Sequence, residues 1–187
     1  MQKLLQEIKK KCFINKSLEE KIKENFKLIT TKKNDVIQIE GNRAKYLFFI
    51  EKGIFHSFYY FNGKKKTSWF YSENQFVSSW ISFYSQKPSE ETIESLEDGI
   101  LYKISYSDYQ KLIKEFPEFN NFARTLSEEI LVFLGTFIMG WSSLTAKEKY
   151  QLLLSYSPSI ELRVKLVDIA SFLGITKETL SRIRAGK

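Results

Sequence analysis

The stretch Leu166-Val167-Asp168-Ile169-Ala170-Ser171-Phe172-Leu173-Gly174-Ile175-Thr176-Lys177-Glu178-Thr179-Leu180-Ser181-Arg182-Ile183 decides the reading of this chain. Its spacing is that of two short helices joined by a tight turn, a helix-turn-helix. Ala170 is small where crossing helices approach closely, and Gly174 can take the left-handed conformation that ends the first helix. Ile169, Leu173, Ile175, Leu180 and Ile183 are apolar where the pair must pack together. Thr176 is a good N-cap for the second helix, with Thr179 one turn on. Lys177, Glu178, Ser181, Arg182 and Arg184 are then left pointing outward.

That outward face is hydrogen-bonding and mostly basic, on a rod narrow enough for the major groove of a duplex. Arg182 can pair bidentately with guanine O6 and N7, and Glu178 can accept from cytosine N4. Thr176, Thr179 and the helix N-terminus can hold phosphates. The charge balance agrees: 29 Lys and Arg stand against 22 Asp and Glu, a net charge of +7. Residues 142–187 contribute eight basic and four acidic side chains, so a quarter of the chain supplies more than half of the excess. An ordinary helical hairpin with a solvated face is the plainer alternative. The coincidence of small, apolar and glycine positions with local positive charge favours double-stranded DNA as the partner.

Upstream, Thr145 with Glu148 forms a capping box for a helix running to Ser157-Pro158, and Ile160–Leu166 reads as a short extended link. A long helix is predicted from Pro117, which suits a first turn, to about Trp141. It carries two apolar stripes. Phe122, Leu126, Ile130, Phe133, Phe137 and Trp141 form one, and Ala123, Leu131, Leu134 and Ile138 the other. Two stripes need two partners, the β-rich body and the same helix of a second subunit. The expected dimer seam is Phe122, Leu126, Ile130, Phe133 and Phe137. Burial of the helix inside one monomer is the competing reading.

Between about 34 and 105 the pattern turns to short β-branched and aromatic runs, 35–40, 46–51, 54–61, 67–71, 92–97 and 100–105. Gly41-Asn42, Lys52-Gly53, Asn62-Gly63 and Asp98-Gly99 punctuate them, and the Asn-Gly and Asp-Gly pairs supply the positive φ of tight hairpins. Strands so closely spaced predict an antiparallel barrel or sandwich. Residues 1 to about 29 carry helical periodicity, with Ser17 and Glu20 as a capping box for the second helix.

One cysteine, Cys12, and one histidine, His56, exclude a disulfide framework, a cysteine-held iron–sulfur cluster and a Cys/His zinc site. His56 has no acidic or nucleophilic neighbour in its strand-like run, and a structural role is expected; so is a non-enzyme without cofactor or metal. No run approaches the roughly eighteen apolar residues of a membrane span, and the N-terminus lacks a signal peptide, so the expected location is the cytoplasm, with no membrane partner.

Taken together, these segments resemble the Crp/Fnr family of bacterial transcription regulators, most specifically at Ile169 to Ile183. The resemblance implies an α+β chain in three parts: N-terminal helices and a cyclic-nucleotide-binding or jelly-roll type β-barrel sensor (1–116), a long dimerisation helix (117–141) and a helix-turn-helix DNA-binding domain (142–187). Lys177, Glu178 and Arg182 fall where the family reads bases, and Thr176 and Thr179 where it grips phosphate. The sequence ends five residues after Arg182, and the second hairpin that many members place there is not expected in it. Cyclic-nucleotide binders of this fold use a Gly-Glu pair and, further along, an Arg that neutralises the cyclic phosphate. Gln75-Phe76-Val77-Ser78-Ser79-Trp80 and Glu90-Glu91-Thr92 stand in those places, and Glu91 would repel the phosphate. The implied function is a homodimeric, sequence-specific DNA-binding regulator whose effector is not cyclic AMP. The candidate effector pocket comprises Trp69, Phe76, Ser78, Ser79, Trp80, Glu91 and Thr92, with Phe70 and Phe83 close by; filling of the core by these aromatics is the plainer reading. The alternative function is a small-molecule-binding or protein-interaction barrel without DNA binding.

Overall fold

The computed structural model describes residues 1–186. Leu4, Leu5 and Ile8 line one face of α1 (Gln2–Lys9), Leu18 and Ile22 one face of α2 (Lys16–Asn25), and all five are buried. The cap of α2 is Asn15, whose side chain accepts from the Leu18 N–H at 2.9 Å. The expected Ser17–Glu20 box is thereby corrected, since Ser17 already lies inside the helix.

Eight strands follow, interrupted once by α3 (Trp80–Ser85): β1 (Lys27–Thr31), β2 (Val36–Gln38), β3 (Tyr46–Lys52), β4 (Phe55–Phe61), β5 (Lys64–Tyr71), β6 (Phe76–Val77), β7 (Thr92–Ser95) and β8 (Gly99–Ser105). They divide into two four-stranded antiparallel sheets, ordered β1-β8-β3-β6 and β2-β7-β4-β5. A closed barrel is therefore not formed. The edge strands β6, with two residues, and β2, with three, offer too few backbone partners to carry the ladder round. Ile50, Phe55, Val77, Ile93 and Leu101 form the buried layer shared by the two sheets. At the β4–β5 hairpin Asn62 (φ 49°) and Gly63 (φ 71°) take the left-handed conformations expected of an Asn-Gly turn. Gly99 has no positive φ; glycine is required there because a Cβ would stand 2.7 Å from Thr31 Oγ1.

After α4 (Tyr106–Glu115), Pro117 opens α5 (Pro117–Trp141) at its first turn. Phe119 and Phe122 are fully buried against α1, α2 and the first sheet, each contributing roughly 1.5–3 kcal/mol by apolar burial. The Thr145–Glu148 capping box opens α6 (Ala146–Tyr156). The expected extended link is instead a single helical turn, α7 (Ile160–Arg163), followed by α8 (Leu166–Leu173) and α9 (Lys177–Arg184). The apolar faces of α6 to α9 share one core with Ile54 and Phe70 of the second sheet and its neighbourhood. The C-terminal unit is thus seated on the β-rich body.

Candidate functional site

Between α8 and α9, Gly174 adopts φ 71°, ψ 27°, and the Ile175 N–H reaches back to the Ala170 carbonyl at 3.0 Å. This left-handed cap turns the chain, and Thr176 Oγ1 then accepts from the Thr179 N–H at 3.2 Å to start α9. Leu180 is buried and Ile183 packs beside it, which orients the rest of α9. Thr176, Lys177, Glu178, Ser181, Arg182 and Arg184 are exposed, and Thr179 is half-buried. Arg184 lies 3.5 Å from Glu161, whereas Lys177 and Arg182 form no ion pair among the described residues. Hydrogen bonds from its own backbone N–H and from Thr176 hold the Glu178 carboxyl below its usual range, with the charges of Lys177 and Arg182 adding to the effect, so Glu178 is an anion at neutral pH.

The opposite side of this bihelical unit is spent on the body. Ser171 Oγ accepts from the Thr67 N–H at 3.1 Å and donates to the Lys65 carbonyl, joining α8 to β5. Arg163 of α7 is held between two glutamates in the loops that follow β5 and β7. Its guanidinium donates to both Glu73 oxygens at 2.9 and 2.6 Å and also binds Glu97. Burial alone would raise the Glu73 carboxyl, but the Arg163 bonds and the Gly53 N–H carry it down to about 2. Sequence reasoning missed this clamp, because its members are 66 and 90 residues apart along the chain.

Along α5 the expected dimer seam requires correction. Phe122 and Leu126 are buried in the chain's own core and Ile130 packs against it. Phe133 and Phe137 stack edge-on against Trp69, at 4.6 and 5.3 Å between ring centroids. The free face holds Leu131 (71% exposed) and Ile138 (72%) of the second stripe together with Val132 and Met139 (82%), whereas Ala123 of that stripe is buried in the core. Both stripes are apolar, and the sequence gives no charge to mark which one turns outward.

Beside α5 lies a cavity of about 1000 Å³. Trp69, Phe76, Ser79, Trp80 and Glu91 line it, as does Phe70. Ser78 and Thr92 do not. Ser78 Oγ donates to the Tyr46 carbonyl, and Thr92 Oγ1 accepts from the Glu40 N–H. Phe83 is fully buried in the core beside Tyr109. Glu91 meets a cluster of hydroxyls, with Ser68 Oγ donating to it at 3.2 Å and Ser57 Oγ 2.7 Å from Ser68 Oγ. Ser57 and Ser68 escaped the sequence reading, although a lone serine inside the aromatic run 54–61 was a visible signal.

His56 is fully buried on β4, its ring 6.1 Å from Phe70, and neither ring nitrogen has a hydrogen-bond partner. Burial and the charge of Lys65 push its pKa down to about 3; Glu94, at 3.8 Å, is itself held by Lys65. It is therefore neutral at physiological pH. Cys12 is half-buried, and burial raises its thiol. Among the described residues no group of His, Cys, Asp and Glu is arranged to hold a metal, and no helix is long and apolar enough to cross a membrane.

Residues 28–116, β1 to the end of α4, match the cyclic nucleotide-binding domain family. No curated protein sequence matches the chain. Among solved structures, FixK2 from Bradyrhizobium japonicum is similar at TM-score 0.74 and 17% identity, over 86% of this chain and 83% of that one. A Crp/Fnr-family transcriptional regulator from Eubacterium rectale gives 0.68 and 19%, over 92% and 83%. The c-di-GMP-responsive global regulator CLP of Xanthomonas campestris gives 0.67 and 15%, over 92% and 91%. The chain thus carries a cyclic nucleotide-binding-type domain over residues 28–116, and across most of its length its fold is that of Crp/Fnr regulators.

Proposed function

We propose that the protein is a homodimeric, sequence-specific DNA-binding transcription regulator in which the two-sheet body senses a small molecule and α9 reads the major groove. One observation carries the reading. The bihelical unit commits one side to the body through Ser171 and Phe172 and leaves the polar side of α9 open. Arg182, Lys177, Glu178 and Ser181 then face bases, while Thr176, Thr179 and Arg184 face phosphates. Pairing through the exposed stripe of α5 would set two such helices about 34 Å apart, one turn of duplex, so the site read is roughly palindromic.

Selection from a random duplex library with the purified protein tests this directly. The expected result is a two-fold-symmetric site whose binding weakens steeply between about 50 and 200 mM salt, as counterion release requires. Recovery of no enriched site, with only weak binding independent of sequence, would overturn the reading.

A further inference from the structure

Glu91 lines the cavity and is largely withdrawn from water, yet no Lys, Arg or His pairs with it among the described residues. Nearby glutamates of the β-rich body are treated differently. Glu73 and Glu97 have Arg163, and Glu94 has Lys65. The Glu91 carboxylate meets hydroxyls instead: Ser68 Oγ donates to Oε2 at 3.2 Å, and Ser57 Oγ stands 2.7 Å from Ser68 Oγ. Hydroxyl dipoles soften a buried negative charge but do not neutralise it, and burial accordingly raises this carboxyl above its usual range. Much of the wall is aromatic and aliphatic, with Trp69, Trp80 and Phe133 among its rings, and aromatic rings attract cations through their electron-rich faces. Five glutamates and two lysines contribute to the lining, and one of those lysines, Lys11, is already held by Glu129. An anionic ligand would meet repulsion here, while a cation would supply the charge Glu91 lacks.

We infer that the cavity takes an organic cation, an apolar or aromatic body against Trp69, Trp80 and Phe133 carrying a protonated amine or amidine that donates to Glu91. This deepens the effector reading above and rests on it for its regulatory meaning, though not for the binding itself. The volume, about 1000 Å³, accommodates a ligand of drug-like size.

Isothermal titration of the full chain with three probes of one shape tests the assignment: naphthylethylamine, naphthylethanol and naphthylacetate. The amine is expected to bind at least tenfold more tightly than the alcohol, and the anion not at all. Glu91→Gln keeps the hydrogen-bonding outline and removes the charge; it should bring the amine down to the alcohol's affinity and leave the alcohol unchanged. Naphthylacetate binding as well as the amine, an unchanged preference in Glu91→Gln, or silence from all three probes would overturn the inference. Duplex binding is followed in parallel. An amine preference that depends on Glu91 in a protein that binds no duplex would uphold the cavity assignment and remove the regulator reading. Operator binding without an amine preference would do the reverse.

Discussion

Arg182 stands on the open face of α9, and among the described residues no carboxylate holds it, so its guanidinium is available to a partner without breaking an ion pair there. Arg182→Ala should weaken binding to the selected duplex by about ten- to a hundredfold, roughly 1–3 kcal/mol, and relax preference at one base position. Fluorescence anisotropy against single-base variants measures both, and the melting temperature should not move, because an exposed side chain contributes little to stability. Residues of this kind were legible from sequence because their roles are set locally. Gly174 and Thr176 each answer to the geometry of one turn, and the structure gives both the conformations their chemistry suggests. Glu91 was legible only as a misfit to a phosphate site. Ser68, which donates to it, and Ser57 behind that hydroxyl come from β5 and β4, which only the folded sheet brings together.

At the scale of elements, α7 and α8 fasten the C-terminal unit to the second sheet. Removing the guanidinium in Arg163→Ala leaves Glu73 and Glu97 facing a shared space without a cation, which should cost about 1–3 kcal/mol in urea denaturation. The clamp also responds to acid. The Glu73 carboxyl is depressed to about 2 in the folded chain, so its contribution is complete above its unfolded pKa of about 4.5 and fades as pH falls from there toward 2. The wild-type urea midpoint should therefore drop more between pH 7 and pH 3 than that of Glu73→Gln. The length of α5 and its two stripes could be read from spacing alone, but their assignment could not. Which stripe meets the body depends on the phase at which Phe119 and Phe122 enter the core, a tertiary matter. The short elements β6 and α3 carry too few residues for any periodicity to show.

For the whole molecule, the exposed face of α5 is the place to test assembly. Ile138→Glu, alone or with Leu131→Glu, puts charge on a surface that is open in the single chain, so the fold should stay intact. If the proposed dimer forms through this face, sedimentation should report a dimer for the wild type and a monomer for the variant, and affinity for a palindromic duplex should fall while that for a half-site holds. The class of the body and the order of the parts followed from strand spacing and the long helix. The split into two sheets did not, since barrel and sandwich share one alternating pattern and differ only in how their edges end. One feature spans the molecule: Trp69, a wall of the cavity, has its ring centroid 5.3 Å from that of Phe172 on α8. A guest that tilts this indole would therefore lose some of its grip to the seating of α8 and α9. If the chain binds a duplex and a guest as proposed, thermodynamic reciprocity requires that each alter the other's hold by one common factor, whether that factor tightens or loosens it.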